Sequence, residues 1–234
     1  MIKNQDQKQN KLKKQPQNQP KTKSVKKSGE QYFSATPASN DERRSLKVTL
    51  RGHDANMQVS NGVFSASRLD LGTSVLLKHA PKLPETGRFL DIGCGWGPIT
   101  VALGLESPNA EIVSIDVNER ALELTQINAK SAGLKHIRTA LVKDALEESN
   151  EEEFKDFDII WSNPPIRVGK EILHEILLTW IPRLRVGGAA YLVVQKNLGS
   201  DSLITWLSEQ LGNTYSVEKY ASSKGYRIIE VLKK

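Results

Sequence analysis

The chain has a single cysteine, Cys94, among 234 residues. No intrachain disulfide can form, and a reducing, cytoplasmic setting is expected. No apolar run approaches the ~20 residues of a membrane helix. Residues 186–194 hold the longest of them, and no membrane association is expected. No apolar stretch follows the first lysines, so a secretory signal is not expected either. The histidines, His53, His79, His136 and His174, lack metal-ligand spacing, and no metal is expected. There is no internal repeat.

Acidic residues are nearly missing from the first 30 positions. Asp6 and Glu30 stand there against nine lysines. The rest of the chain is close to neutral, so the net charge of +6 belongs to this segment. It is rich in Lys, Gln and Asn, with Pro16 and Pro20 and few bulky apolar side chains. Such a composition cannot offset the entropy of ordering. Residues 1–30 are therefore expected to be a disordered basic tail suited to phosphates. Residues 31–234 are long enough for one domain with a sizeable core. It divides into an N-terminal extension (31–80) and a ligand-binding core (81–234).

Two short strands are predicted at 45–51 and 56–60, with Gly52, Asp54 and Asn56 in or beside the turn. Residues 61–80 read as a loop leading into a helix. Beyond Pro81 and Pro84, short apolar strands alternate with helical stretches. Ala121, Leu124 and Ile127 recur three apart. Ile172, Leu173, Ile176, Leu177 and Trp180 form one stripe. Trp161 and Trp180 are assigned to the core. This alternation predicts an α/β fold: a doubly wound, mostly parallel sheet with helices on both faces. The last two strands, joined across Ala221–Gly225, are expected to form an antiparallel hairpin.

The segment from Leu90 to Pro98 reads LDIGCGWGP, between a predicted strand and helix. Gly93, Gly95 and Gly97 permit tight curvature and close ligand approach, and Pro98 suits a first helical turn. A dinucleotide loop would read G-x-G-x-x-G and hold a pyrophosphate. This loop is G-x-G-x-G and follows Asp91, a carboxylate unsuited to a pyrophosphate. It suits a ligand bearing an ammonium and a sulfonium, as S-adenosylmethionine does. A Gly-rich strand–helix turn alone is the bland alternative.

Two further acids extend the pattern. The next strand ends at Asp116, beside Val117, where a carboxylate can accept both hydroxyls of a ribose. The third is read as ending at Lys143-Asp144-Ala145, which places Asp144 near an adenine amino group. Each acid alone could be a cap or turn residue. Three of them at the C-terminal ends of successive strands mark the edge where open α/β sheets bind ligands. Cys94 has no local histidine partner and reads as a small filler.

The fourth core strand runs into Asn163-Pro164-Pro165-Ile166. Asn-Pro-Pro is commonly a plain turn, but here it falls at the same edge. An exocyclic amine or amide nitrogen is a weak nucleophile because its lone pair is delocalised. The Asn163 side-chain oxygen can accept one N–H and the Pro164 carbonyl the other, on a loop stiffened by proline. Two such acceptors favour the transition state for methyl transfer, in which charge grows on nitrogen.

With these motifs stand QYFSATP, NGVFSASRLDLGTSVLL, SIDVNERAL, SNPPIRVGKEILHEIL, VVQKNLGSDSL and KGYRIIEV. Together they resemble the small-domain class I methyltransferase family that includes small-subunit ribosomal RNA guanine-N2 methyltransferases. The resemblance covers nearly everything from Gln31 onward. It implies a Rossmann-like fold and S-adenosylmethionine contacts from Asp91, Gly93, Gly95, Gly97, Asp116, Val117, Asp144, Ala145 and Asn163. It also implies amine binding by Asn163 to Ile166, and ribosomal RNA or the small ribosomal subunit as partner. Many amino-methyltransferases place an aromatic residue after Asn-Pro-Pro; here it is Ile166, which cannot π-stack on a base. Arg167 and Lys170 are the nearest cationic candidates for substrate binding. Two alternatives stay open. One is methylation of a protein glutamine amide or an adenine amino group. The other is a silent binding protein on the same fold, against which the intact Asn-Pro-Pro argues.

Overall fold

The computed structural model describes residues 39–234. The basic tail, 1–30, and the QYFSATP stretch lie outside the described residues. Strands β1 (Arg43–Leu50) and β2 (His53–Ser60) pair antiparallel. Both are longer than the sequence reading, and the turn is only Arg51–Gly52. Both turn residues have positive φ, 49° and 89°, as a two-residue type I′ turn requires. Asp54 and Asn56 were expected at the turn but lie within β2. Their polar side chains are satisfied across the ladder instead, by Thr49 Oγ1 at 2.7 Å and Ser45 Oγ at 2.5 Å.

The main sheet follows helix α1 (Leu71–His79). Its strands are β3 (Arg88–Ile92), β4 (Glu111–Asp116), β5 (Ile137–Leu141), β6 (Phe157–Ser162), β7 (Leu184–Gln195), β8 (Tyr215–Ser223) and β9 (Tyr226–Lys233). Their order is β5-β4-β3-β6-β7-β9-β8. The first five are parallel; β9 runs antiparallel between β7 and β8. The expected C-terminal hairpin is present, but its turn is Lys224–Gly225 alone, with φ 49° and 79°. Ala221 belongs to β8. This is a doubly wound, mostly parallel sheet.

Helices α2 (Pro98–Glu106), α3 (Glu119–Ser131), α4 (Val142–Ala145), α5 (Lys170–Trp180) and α6 (Ser200–Leu211) cover it. Side chains alternate across each strand, which gives two cores. Phe89, Trp161, Tyr191 and Ile228 face the layer of α1, α2, α3 and the β1–β2 hairpin. Leu90, Ile92, Ile160 and Leu192 face α4, α5 and α6. The same alternation points Asp91 toward α2. Trp161 and Trp180 are buried, as expected.

The hairpin lies outside the main sheet and is tied down by one buried and one half-buried side chain. Asn128 on α3 accepts from the Gln58 backbone N–H at 2.6 Å and donates to the Gln58 and Trp96 carbonyls, each at 2.8 Å. Arg51 donates to the carbonyls of Leu77, Ala80 and Pro81 at the end of α1 and pairs with Glu106. Among the described residues no helix is long and apolar enough to cross a membrane.

Candidate active site

Strands β3 and β6 are parallel neighbours, with Ile92 paired to Ser162. From β3 the chain winds one way, to β4 and β5. From β6 it winds the other way, to β7. A crevice opens at such a switch point, at the C-terminal ends of the strands. The glycine loop after β3 and the Asn-Pro-Pro loop after β6 flank it. The Ser162 hydroxyl donates to the Ile92 carbonyl at 2.8 Å and ties the two strand ends together.

Gly93, Gly95 and Gly97 all have positive φ, but they serve two purposes. A Cβ on Gly97 would strike Thr125 on α3, at 2.9 Å from its hydroxyl and 3.0 Å from its Cα. Gly97 is therefore needed for helix packing. At Gly93 and Gly95 a Cβ would meet nothing within 4 Å, so ligand can approach the backbone there.

Asp91 is fully buried. Its Oδ2 accepts from the backbone and hydroxyl of Thr100, at 3.0 and 2.6 Å. Gly97 starts α2 without a capping side chain, and Asp91 does that work from β3. Its Oδ1 has no partner among the described residues. Burial, with a contribution from the nearby Asp116 charge, pushes the carboxyl up to about 7.

Asp116 Oδ2 accepts from Gly95 N–H and Oδ1 from Asn118 N–H, each at 3.0 Å. It shapes the glycine loop from the C-terminal end of β4, and burial raises its pKa. Val117 beside it is half-buried. Asp144 differs from the sequence reading. Strand β5 ends at Leu141, and Asp144 lies on the one-turn α4 beyond it. There it lines a cleft of about 420 Å³ with Glu119, Leu141 and Asn150. Ala145 is buried among Phe154 and its neighbours in the α5–α6 core. Cys94 is buried, and burial holds its thiol well above the ordinary range.

The Asn163 side-chain amide donates to Asp70 Oδ2 at 2.7 Å and to Thr73 Oγ1 at 3.0 Å. Asp70 is also the N-cap of α1, accepting from Thr73 N–H at 3.1 Å. With both amide hydrogens engaged, Asn163 Oδ1 is left as an acceptor with no donor among the described residues. The Pro164 carbonyl already accepts from Ile166 N–H at 2.8 Å. Pro165, at φ −76° and ψ 70°, is the centre of an inverse γ-turn, and one carbonyl lone pair remains. Arg167 and Lys170 are exposed. Arg167 acts electrostatically on Tyr226 of β9. Lys170 acts on His174, one turn along α5, and His174 stacks on Trp206 of α6.

Asp70, Gly72, Thr73 and Tyr226 escaped the sequence reading. Asp70 followed by Thr73 reads as a helix cap, and nothing local says that the cap also grips a residue 93 positions away. Among the described residues no group of three His, Cys, Asp or Glu side chains could hold a metal ion.

The family model "Methyltransferase small domain" matches residues 54–230. The chain is 33% identical over 87% of its length to YbxB, an uncharacterised protein of Bacillus subtilis, and covers 98% of that protein. It is 36% identical over 58% of its length to ribosomal RNA small subunit methyltransferase C of Shewanella loihica, covering 39% of it. Among solved structures it resembles the T. thermophilus 16S rRNA N2 methyltransferase RsmC, in complex with AdoMet and guanosine. The TM-score is 0.68 at 23% identity, over 85% of this chain and 52% of that one. The chain thus spans about half or less of these two ribosomal RNA methyltransferases.

Proposed function

The chain belongs to the methyltransferase small-domain family, and on that premise we propose that it methylates an exocyclic amino group of a ribosomal RNA base in the cytoplasm. Guanine N2 in small-subunit rRNA is the favoured target, with S-adenosylmethionine as donor. The ribosomal RNA methyltransferases among its relatives support RNA as substrate. The observation that carries the reading is the Asn163 amide, fixed by Asp70 and Thr73 with its oxygen unpartnered.

The side chains present fit such a donor. Asp91 offers a buried, unpartnered Oδ1 to an ammonium. The backbone at Gly93 and Gly95 is open to close approach. Asp116 accepts from the backbone of Gly95, Val117 and Asn118 and keeps about one carboxylate lone pair for a ribose hydroxyl, and Asp144 faces a cleft that an adenine amino group could enter. When bound, S-adenosylmethionine supplies an electrophilic methyl group on a sulfonium.

Asn163 Oδ1 accepts one N–H of the target amine, and the remaining lone pair of the Pro164 carbonyl accepts the other. These bonds pull the nitrogen toward tetrahedral geometry and direct its lone pair. With the donor bound, the nitrogen held by these acceptors would take up the methyl carbon as the carbon–sulfur bond broke, its electron pair remaining on sulfur. Positive charge grows on nitrogen, so both acceptors bind the transition state more strongly than the ground state. The nitrogen then loses a proton to water. Arg167 and Lys170, both exposed, would meet RNA phosphates.

The test is transfer of labelled methyl groups to small ribosomal subunits and to naked rRNA, with the modified nucleoside identified by mass spectrometry. Asn163→Ala should lower the single-turnover rate by about 10²–10³, with little change in donor affinity. A wild type that methylates no RNA, or a mutant that turns over normally, would overturn the reading.

A further inference from the structure

Ile166 follows Asn-Pro-Pro, but its side chain packs against the α5–α6 core. It is directed away from the opposite face, where Asp70 and Gly72 lie. An aromatic ring comes to the crevice from elsewhere. Tyr226 opens β9 and is paired with Gln195, the last residue of β7. Its Cε1 lies 3.0 Å from where a Cβ on Gly72 would sit. The same point is 3.2 Å from Asn163 Oδ1 and 3.0 Å from Asp70 Oδ2. Ring edge and amine acceptor thus both border the space of one missing methyl group.

Resting on the function proposed above, we propose that Tyr226 is the aromatic wall against which the target base stacks. The ring is only half-buried and packs on the α1–α3 core, so part of it stays accessible, with its Cε1 edge close to Gly72. Its hydroxyl makes no hydrogen bond among the described residues. Tyr191 contrasts with it: buried, bonded to Glu230 at 2.7 Å and in edge contact with Tyr220. Burial, and then the Asp70 charge, raise the Tyr226 pKa, so the ring stays neutral at working pH. Arg167, in the turn after Asn-Pro-Pro, acts electrostatically on the same ring and is exposed, a cation open to the RNA backbone. A base removed from its strand needs a π-face to replace lost stacking. Tyr226 supplies that face, while Asn163 and Pro164 read the amino group.

The probe is 2-aminopurine riboside, bright in water and quenched when it stacks on an aromatic ring. It is titrated with full-length protein holding S-adenosylhomocysteine. Wild type and Tyr226→Phe should quench it with similar affinity. Tyr226→Ala and the bulk-preserving Tyr226→Leu should bind it about 10- to 100-fold more weakly, within the range for losing one base–aromatic stack. Their donor affinity should be unchanged. In methyl transfer, both should raise KM for RNA more than they lower kcat. Equal binding by Tyr226→Leu and wild type would overturn the stacking wall, as would no quenching by wild type. A loss in Tyr226→Phe as large as in Tyr226→Ala would also overturn it, in favour of the hydroxyl. A wild type that quenches but methylates no RNA would instead overturn the proposed reaction and leave the wall standing.

Discussion

One oxygen of Asp70 holds both the start of a helix and the side chain of Asn163: Oδ2 accepts from Thr73 N–H and from Asn163 Nδ2. The carboxylate therefore decides which way the amide faces. Turned over, the amide would present donors where the proposed target amine needs an acceptor.

Asp70→Ser separates these two roles. Serine is a good N-cap, so stability should change by only a few tenths of a kcal/mol, checked by thermal melting. Its side chain is too short to hold the amide, and turnover should fall by roughly ten- to a hundredfold, on the scale of a misplaced catalytic group. Normal turnover at normal stability would show that the amide is oriented without Asp70.

Gly72→Ala tests the same junction from the opposite side. An added methyl would crowd Asp70, Tyr226 and Asn163 Oδ1 at 3.0–3.2 Å. Alanine favours a helix by about 1 kcal/mol over glycine, so crowding and propensity oppose each other in stability, which should move little. Only crowding acts on the site, and methyl transfer should drop about tenfold or more. A variant with wild-type kcat/KM would sink this account.

The pH dependence follows from Asp91. Its folded pKa is about 7, against an ordinary 3.8. Because the folded value is raised, the contribution of this group to stability is fully present below about 4. It is lost as pH rises through about 7. A bound ammonium favours the carboxylate, so donor affinity should climb from pH 5.5 to 7.5 and level off above. Binding near pH 6 should release a proton. Calorimetry in buffers of different ionisation enthalpy measures that release; a flat affinity with none would contradict the assignment.

The basic segment is expected to act on RNA through charge alone. It holds nine lysines and no aromatic residue before Tyr32, so it can contact phosphates but not stack on bases. Deleting residues 1–29 should weaken RNA binding at low salt. If half the lysines touch phosphates, the log–log salt slope should fall by roughly three to four units. The choice of nucleotide should not change. Superimposable salt titrations would leave the segment without a role in binding.

Much of this protein is determined by its sequence alone. Apolar strands alternating with amphipathic helices can bury both faces of a sheet in only a few ways. The doubly wound sheet, its antiparallel end and the place of the glycine loop follow from that local chemistry. So do the burial of Trp161 and the inert setting of Cys94. The tertiary structure decided the details that depend on contact between distant segments. Asp144 falls a turn beyond its strand, because β5 stops at Leu141. Asp91 is divided between capping α2 and an unpartnered oxygen, a division set by how closely α2 packs over β3. The orientation of Asn163 depends on Asp70, and the aromatic ring beside it comes from Tyr226, 63 positions beyond the asparagine. Sequence periodicity reports which face of its own element a side chain occupies. It does not report which end of another element arrives opposite that face, and the acceptor geometry is made there.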